Sequence, residues 1–331
     1  MKCINKTLCC VMSSVLFFCA GCGNTAAGKA ALSDSYDLYQ TTALAGISAV
    51  GSAEEKAYFS ENLCVTDDVS LGTDSTDSQV AEGARTFHLA TNTVVYAKNI
   101  YNKLYPASTT KILTAYIALK YCEDMDAYVT VSEYAADQAS DSSVCGLKAG
   151  DKVRFRDLIY GMMLQSGNDA AIAIAEHISG SVEDFAALMN QEALLLGASQ
   201  SHFVNPNGLP DPEHYTSVYD LYLIFAAALS DEQFVNIIQT KTYDVVYTNA
   251  KGESVEKTWK NTNQYLTGQA EPPEGFTVIG GKTGTTGEAG YCLVLYSTNP
   301  SGDPIISIVL KADGKSNLYL LMNQMLAGYA T

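Results

Sequence analysis

The order of its patterned segments most constrains what this chain can become. Two short β-type runs come first, then a long block with helical patterning, then several β-rich runs separated by turns, and last an amphipathic helix. Consecutive strands joined by short turns imply an antiparallel sheet. The helical block that interrupts the strands implies a second lobe, and a cleft between lobes is a usual place for a ligand.

The first β-runs lie in "RTFHLATNTVVYAKN", around a hairpin at Ala90-Thr91-Asn92. "STTKILTAYIALKY" reads as a helix from Ser108, with Pro106 just ahead of its first turn. "FRDLIYGMMLQ" and "DAAIAIAEHI" carry helical patterning on either side of Ser166-Gly167-Asn168, and further helices are expected at 181–196 and 217–229. "KTYDVVYT", "FTVIGGKT", "YCLVLYST" and "PIISIVLKA" are the later β-rich runs, and "SNLYLLMNQMLAGY" is the closing helix.

At 331 residues, with 47% hydrophobic and 17% charged, the chain is an ordinary globular protein whose core needs no metal or disulfide staple. The length allows two domains or one large α/β unit. Its formal charge of −16 repels phosphate backbones and anionic headgroups, which argues against nucleic acid and against polybasic docking to a membrane. An anionic ligand must therefore find a local cationic exception.

Residues 1–22 read as an export signal. Lys2 and Lys6 precede an apolar stretch from Leu8 to Cys19 that is too short to span a bilayer comfortably. The segment ends in Cys19-Ala20-Gly21-Cys22, which resembles the lipobox of bacterial lipoproteins, with Cys19 where leucine is usual and Cys22 as the residue that takes the lipid. The alternative is an ordinary signal cut near Ala26-Ala27. Residues 23–80 lack a sustained period and read as a tether or lead-in, leaving 81–331 as the main folded domain, a sheet lobe with a helical insert at about 115–230.

Of the nine cysteines, Cys64, Cys122, Cys145 and Cys292 lie outside the signal. No two of these four stand as C-x-x-C, so no structural zinc is expected. Outside the cytoplasm Cys122 and Cys145 could pair as a disulfide, and Cys292, in an apolar run, reads as a small core residue.

Three short motifs carry the chemistry: Ser108-Thr109-Thr110-Lys111, Ser166-Gly167-Asn168 and Lys282-Thr283-Gly284. A serine and a lysine three apart at a helix start share one face. The helix N-terminus offers N–H groups to a developing oxyanion. The chain also holds decoys, such as Ser254-Val255-Glu256-Lys257 in a polar stretch with no helix start. Gly280-Gly281-Lys282-Thr283 fails as a phosphate loop because Phe276 stands where glycine is required. The four histidines form no metal or nucleophile-elbow pattern and read as structural.

The ordered trio, with "PASTTKILTA", "SGNDAAIAIAEHISGS", "HFVNPNGLPDPEHYTS" and "GGKTGTTGEAGYCLV", resembles the serine-type D-alanyl-D-alanine carboxypeptidases, the low-molecular-mass penicillin-binding proteins. The resemblance runs from about Arg85 to the C-terminus. It implies an α/β fold of the DD-peptidase/β-lactamase kind, a five-stranded antiparallel sheet flanked by helices plus a helical subdomain, and no metal or cofactor.

The resemblance further implies that Ser108 attacks the carbonyl between two terminal D-alanines of a peptidoglycan stem peptide and that Lys111 takes its proton. Ser166 would relay a proton to the leaving amine, Asn168 hold the substrate amide, and Lys282 and Thr283 engage the terminal carboxylate beside Gly284. The N–H groups of Ser108 and Thr285 would form the oxyanion hole, and water would complete the reaction. A lysine at its ordinary pKa of about 10.4 is a poor base, so burial and the nearby Lys282 must lower it; roughly three units correspond to about 4 kcal/mol.

β-Lactam antibiotics are the expected inhibitors. Two rivals remain, a serine β-lactamase and a noncatalytic wall-binding protein of the same fold. The commonest serine β-lactamases use S-D-N and an E-x-x-L-N segment; here Gly167 replaces that aspartate, and no E-x-x-L-N lies between Asn168 and Lys282. Many relatives also carry a second β-domain and a C-terminal membrane helix, whereas after Gly284 there is room for two strands and a helix. A lipid on Cys22 is the expected attachment instead.

Overall fold

The computed structural model describes residues 63–64 and 70–328. The expected signal with Cys22, and the lead-in up to residue 62, lie outside the described residues. Along the chain come β1 (Ala81–His88), β2 (Ala97–Lys98), α1 (Lys111–Tyr121), β3 (Tyr128–Thr130), α2 (Glu133–Ala136), β4 (Lys152–Arg154), α3 (Phe155–Leu164), α4 (Asn168–Ser179) and α5 (Val182–Leu195). There follow α6 (Val218–Ala228), α7 (Glu232–Gln239), β5 (Thr242–Thr248), β6 (Ser254–Lys260), α8 (Gln264–Thr267), β7 (Thr277–Thr286), β8 (Gly290–Thr298), β9 (Pro304–Ala312) and α9 (Lys315–Ala327).

Five strands form an antiparallel sheet in the order β2-β1-β9-β8-β7, as the sequence leads one to expect. The two ends of the domain meet inside it, with Ala84 opposite Val309 and Phe87 opposite Ile306. β8 and β9 are apolar on both faces because both faces are covered. Leu293, Leu295, Ile305 and Val309 pack with Leu318 and Met322 of α9. The alternate residues Cys292, Val294, Ile306 and Ile308 join the larger core that contains Leu221 and Phe225 of α6. Cys292 is thus the small core residue expected.

In the helical lobe α4 runs between α3 and α5. Its buried Ala170, Ala171, Ala173 and Ala175 keep it slim, so neighbouring helices can approach closely. Ser181 and Ser217 cap α5 and α6 by accepting from the Asp184 and Asp220 N–H groups, which puts these helices inside the expected ranges.

The block between β2 and β7 carries more than helices. Strands β3, β4, β5 and β6 form a second antiparallel sheet in that order, so the inserted lobe extends beyond the 115–230 stretch expected from sequence. "KTYDVVYT" (β5) belongs here and not to the five-stranded sheet. Its burial explains why: Val245 and Tyr247 are covered while Thr242, Asp244 and Val246 are exposed, a one-sided pattern suited to a sheet with one wet face. The decoy Ser254 and Lys257 both lie on β6.

Two further expectations need correction. Cys122 and Cys145 are free, as are Cys64 and Cys292. Cys122 ends α1, whereas Cys145 is buried against Gly161 and Gly167. Part of the expected lead-in is also packed: Cys64 is buried and its N–H donates to the Tyr222 hydroxyl at 2.9 Å. Among the described residues no single helix is long and apolar enough to cross a membrane.

Candidate active site

The helix expected from Ser108 begins as a 3-10 turn (Ala107–Thr110) that continues into α1. Residues i and i+3 eclipse in such a turn, and Lys111 Nζ donates to Ser108 Oγ at 3.0 Å. Ala107 adopts a φ of 47°, uncommon for a residue with a side chain. Two glycines grip this strained backbone. A Cβ on Gly208 would stand 1.9 Å from the Ala107 carbonyl oxygen, and one on Gly284 would stand 3.0 Å from the Ser108 nitrogen. The nucleophile's backbone is therefore held between a loop of the helical lobe and β7, an edge strand of the sheet.

His214 steadies the same turn. Its Nδ1 accepts from the Val204 N–H at 3.1 Å, which leaves Nε2 to donate to Thr110 Oγ1 at 2.9 Å. Burial lowers its pKa to about 4 and keeps the ring neutral, a structural role as expected.

Ser166, Gly167 and Asn168 form the corner between α3 and α4. Ser166 has a φ of 61°. Gly167 admits no side chain, since a Cβ there would lie 2.4 Å from Cys145 Sγ. Asn168 leaves the capping of α4 alone; its Oδ1 accepts from Lys111 Nζ at 2.8 Å. Lys282 comes from β7, and its Nζ donates to Ser166 Oγ at 3.0 Å. Each motif of the trio is thereby joined to another by a lysine amine.

Both amines are dry. Lys111 is 0% exposed and Lys282 1%. Burial, and then the Lys282 ammonium, push Lys111 well below its ordinary value. Burial brings Lys282 down to about 7. Lys111 spends its hydrogen bonds on acceptors alone, namely Ser108 Oγ, Asn168 Oδ1 and the Asn207 carbonyl oxygen at 2.6 Å. Once neutral, the amine keeps two N–H groups for Asn168 and Asn207 and turns its lone pair to the Ser108 hydroxyl, as a base for that hydroxyl must.

Ser108 stands where two cavities meet. One, of about 200 Å³, is lined by Ser166, Thr283, Gly284 and Lys315; the other, of about 430 Å³, by Asn168, Asn207 and Glu288, and both touch Ser108 and Thr285. All eight site residues expected within the described chain thus gather at one cleft. Sequence reasoning assigned no role to Asn207 or to Thr262, whose Oγ1 lies 2.6 Å from Thr283 Oγ1. Asn207 sits in the quoted "NPNGLP" stretch, but it acts through its backbone carbonyl, which no side-chain pattern signals. Thr262 lies in an irregular segment after β6, where no motif points to it.

A buried lysine on a serine at a helix start, opposite a lysine on a sheet edge, marks a serine-type hydrolase. Residues 73–314 match the family model of peptidase S11, D-alanyl-D-alanine carboxypeptidase, and the chain belongs to that family. It is 35% identical over 240 residues to the D-alanyl-D-alanine carboxypeptidase of Streptomyces sp. (strain K15), covering 70% of this chain and 80% of that one. It is 36% identical over 232 residues to carboxypeptidase DacC of Escherichia coli, covering 67% of this chain and 54% of the relative, so it spans about half the length of that longer protein. A crystal structure of the Streptomyces K15 DD-transpeptidase superposes with a TM-score of 0.68 at 32% identity, over 79% of this chain and 100% of that one.

The glycine grip makes a direct prediction. Gly208→Ala must push the Ala107–Ser108 backbone aside, and its kcat/KM for D-alanine release is expected to fall roughly 100-fold while circular dichroism still reports a folded protein.

Proposed function

We propose that this chain removes the terminal D-alanine of peptidoglycan stem pentapeptides through an acyl-enzyme on Ser108. The observation that carries the reading is the 3.0 Å approach of the dry Lys111 Nζ to Ser108 Oγ. Neutral Lys111 takes the hydroxyl proton as Oγ attacks the carbonyl of the penultimate D-alanine. The oxyanion forms against the N–H groups of Ser108 and Thr285. Ser166, held by Lys282, gives its proton to the leaving amine and takes in exchange the one held by Lys111, so that free D-alanine departs and Lys111 is neutral again. Asn168 holds the substrate amide, while Lys282 and Thr283 receive the terminal carboxylate beside Gly284. The backbone pairs along the edge of β7. Water then attacks the ester, Lys111 again handles the proton, and Ser108 is regenerated.

The test is a pentapeptide ending in D-Ala-D-Ala, with and without penicillin. Release of D-alanine that penicillin blocks, and that Ser108→Ala reduces by about 10,000-fold or more, is the expected result. Penicillin should stay on Ser108 as a stable adduct in the mass spectrum. Rapid β-lactam turnover with little adduct would favour the β-lactamase, and binding without release the noncatalytic protein.

The depressed pKa of Lys111 sets the sign of the pH dependence. A lowered lysine pKa makes the neutral base available at lower pH, so acylation by penicillin rises with pH and levels off well below pH 10.5. The Lys282 charge is one cause of that lowering, so Lys282→Met is expected to move the rise to higher pH. A stopped-flow series across pH reads both.

The site faces a wall polymer, so the protein works outside the cytoplasm, held there by a lipid on Cys22. Cell fractionation checks this: Cys22→Ala should move the protein from the membrane to the soluble fraction, and unchanged membrane association would falsify the anchor.

A further inference from the structure

We propose that Asp169 and Lys257 are positioning residues that clamp the 143–147 loop from opposite sides and so fix the Ser166–Gly167–Asn168 corner. The inference rests on the catalytic roles proposed above. Asp169 is 1% exposed, and its carboxylate accepts three backbone N–H groups: Cys145 at 2.8 Å, Leu147 at 3.0 Å and Ala170 at 2.9 Å. Two of these belong to the loop and one to α4. From the other side Lys257 Nζ donates to the Cys145 carbonyl at 3.1 Å and the Gly146 carbonyl at 2.5 Å, beside a weaker bond from the Trp259 indole at 3.4 Å. An anion thus takes the loop's donors while a cation takes its acceptors. Hydrogen bonds to charged groups are the stronger kind.

The loop in turn carries the corner. The Asn168 N–H donates to the Ser143 carbonyl at 2.8 Å, and Gly167 rests on Cys145 with no room for a Cβ. Ser166, whose φ of 61° is strained, is fixed on the far side of this support. The side chains of Ser166 and Asn168 are those that receive the Lys282 and Lys111 amines. Slackening the loop therefore misplaces both. Lys257, whose S-x-x-K spacing imitates the catalytic motif, acts here through the backbone of another segment.

Asp169 has a second effect. The titratable groups facing Lys111 are Lys282 from β7, Cys145 from the loop, Asp169 from α4 and His214 from the segment before α6. Asp169 favours the charged form of Lys111, so its neutral replacement eases proton loss.

The experiment measures acylation by a fluorescent penicillin across pH, with melting temperatures alongside, for the wild type, Lys257→Met, Lys257→Arg and Asp169→Asn, with Ser108→Ala as the blank. Misplaced groups cost about 10- to 100-fold, so that loss is expected in Lys257→Met with its pH profile unmoved and in Asp169→Asn with the acid limb shifted to lower pH. Lys257→Arg restores most of the rate. If Asp169→Asn fails to fold, the two Lys257 variants decide. A Lys257→Met protein acylated as fast as wild type overturns the clamp and leaves the roles of Ser108 and Lys111 standing. A folded Asp169→Asn with an unmoved acid limb overturns the part assigned to Asp169. A wild type labelled no better than Ser108→Ala overturns both the clamp and the catalytic reading.

Discussion

The structure turns on keeping a lysine amine out of water while giving it oxygen atoms to face. An isolated buried ammonium would be very costly, and the chain answers by lowering the proton affinity of Lys111 and surrounding it with Ser108, Asn168 and Asn207. Those three partners come from three separate segments. The need to bring them together explains much of the fold: the turn before α1, the corner before α4 and the loop before α6 must all arrive at one point. Lys282 adds a like charge from the sheet, and its bond to Ser166 ties the corner to β7.

Much of this was legible in the linear text, and the reasons it was legible are physical. Serine and lysine three apart, a small residue at a sharp corner, and lysine-threonine-glycine on an edge strand are local patterns that chemistry demands at fixed spacing. The helices from α3 to α6 announced themselves by their patterning, and serine caps hold the starts of α5 and α6. What stayed hidden depends on long-range geometry. The one-sided burial of β5 suits the second sheet, but which of its residues are covered is known only once the chain is folded. The Asn207 carbonyl has no side-chain signature. Two cysteines in an oxidising compartment suggest a bridge, yet the fold sends Cys145 beneath Gly167 and leaves Cys122 at the end of α1. Lys257 looked like an accident of spacing and holds a loop instead.

Glycine at the site serves close approach more than flexibility. Gly208 and Gly167 mark places where backbone or sulfur comes too near for any side chain, and Gly284 one where the approach is tight. Ser108 and Ser166 are consequently held by their surroundings, and the positive φ of Ala107 and Ser166 persists because neighbours over-determine it. Rigidity of this kind lets a weak hydroxyl nucleophile meet its base without paying for orientation at each turnover.

The pairing of β1 with β9 sets a timetable. A chain made from its N-terminus delivers the serine early and the K-T-G strand late, and β1 has no partner beyond β2 until the last strand follows. Long-range strand pairing is also slow to form. The turn that carries Ser108 is thus made long before the strand that brings the second amine, and the site is assembled only when nearly the whole domain has been synthesised.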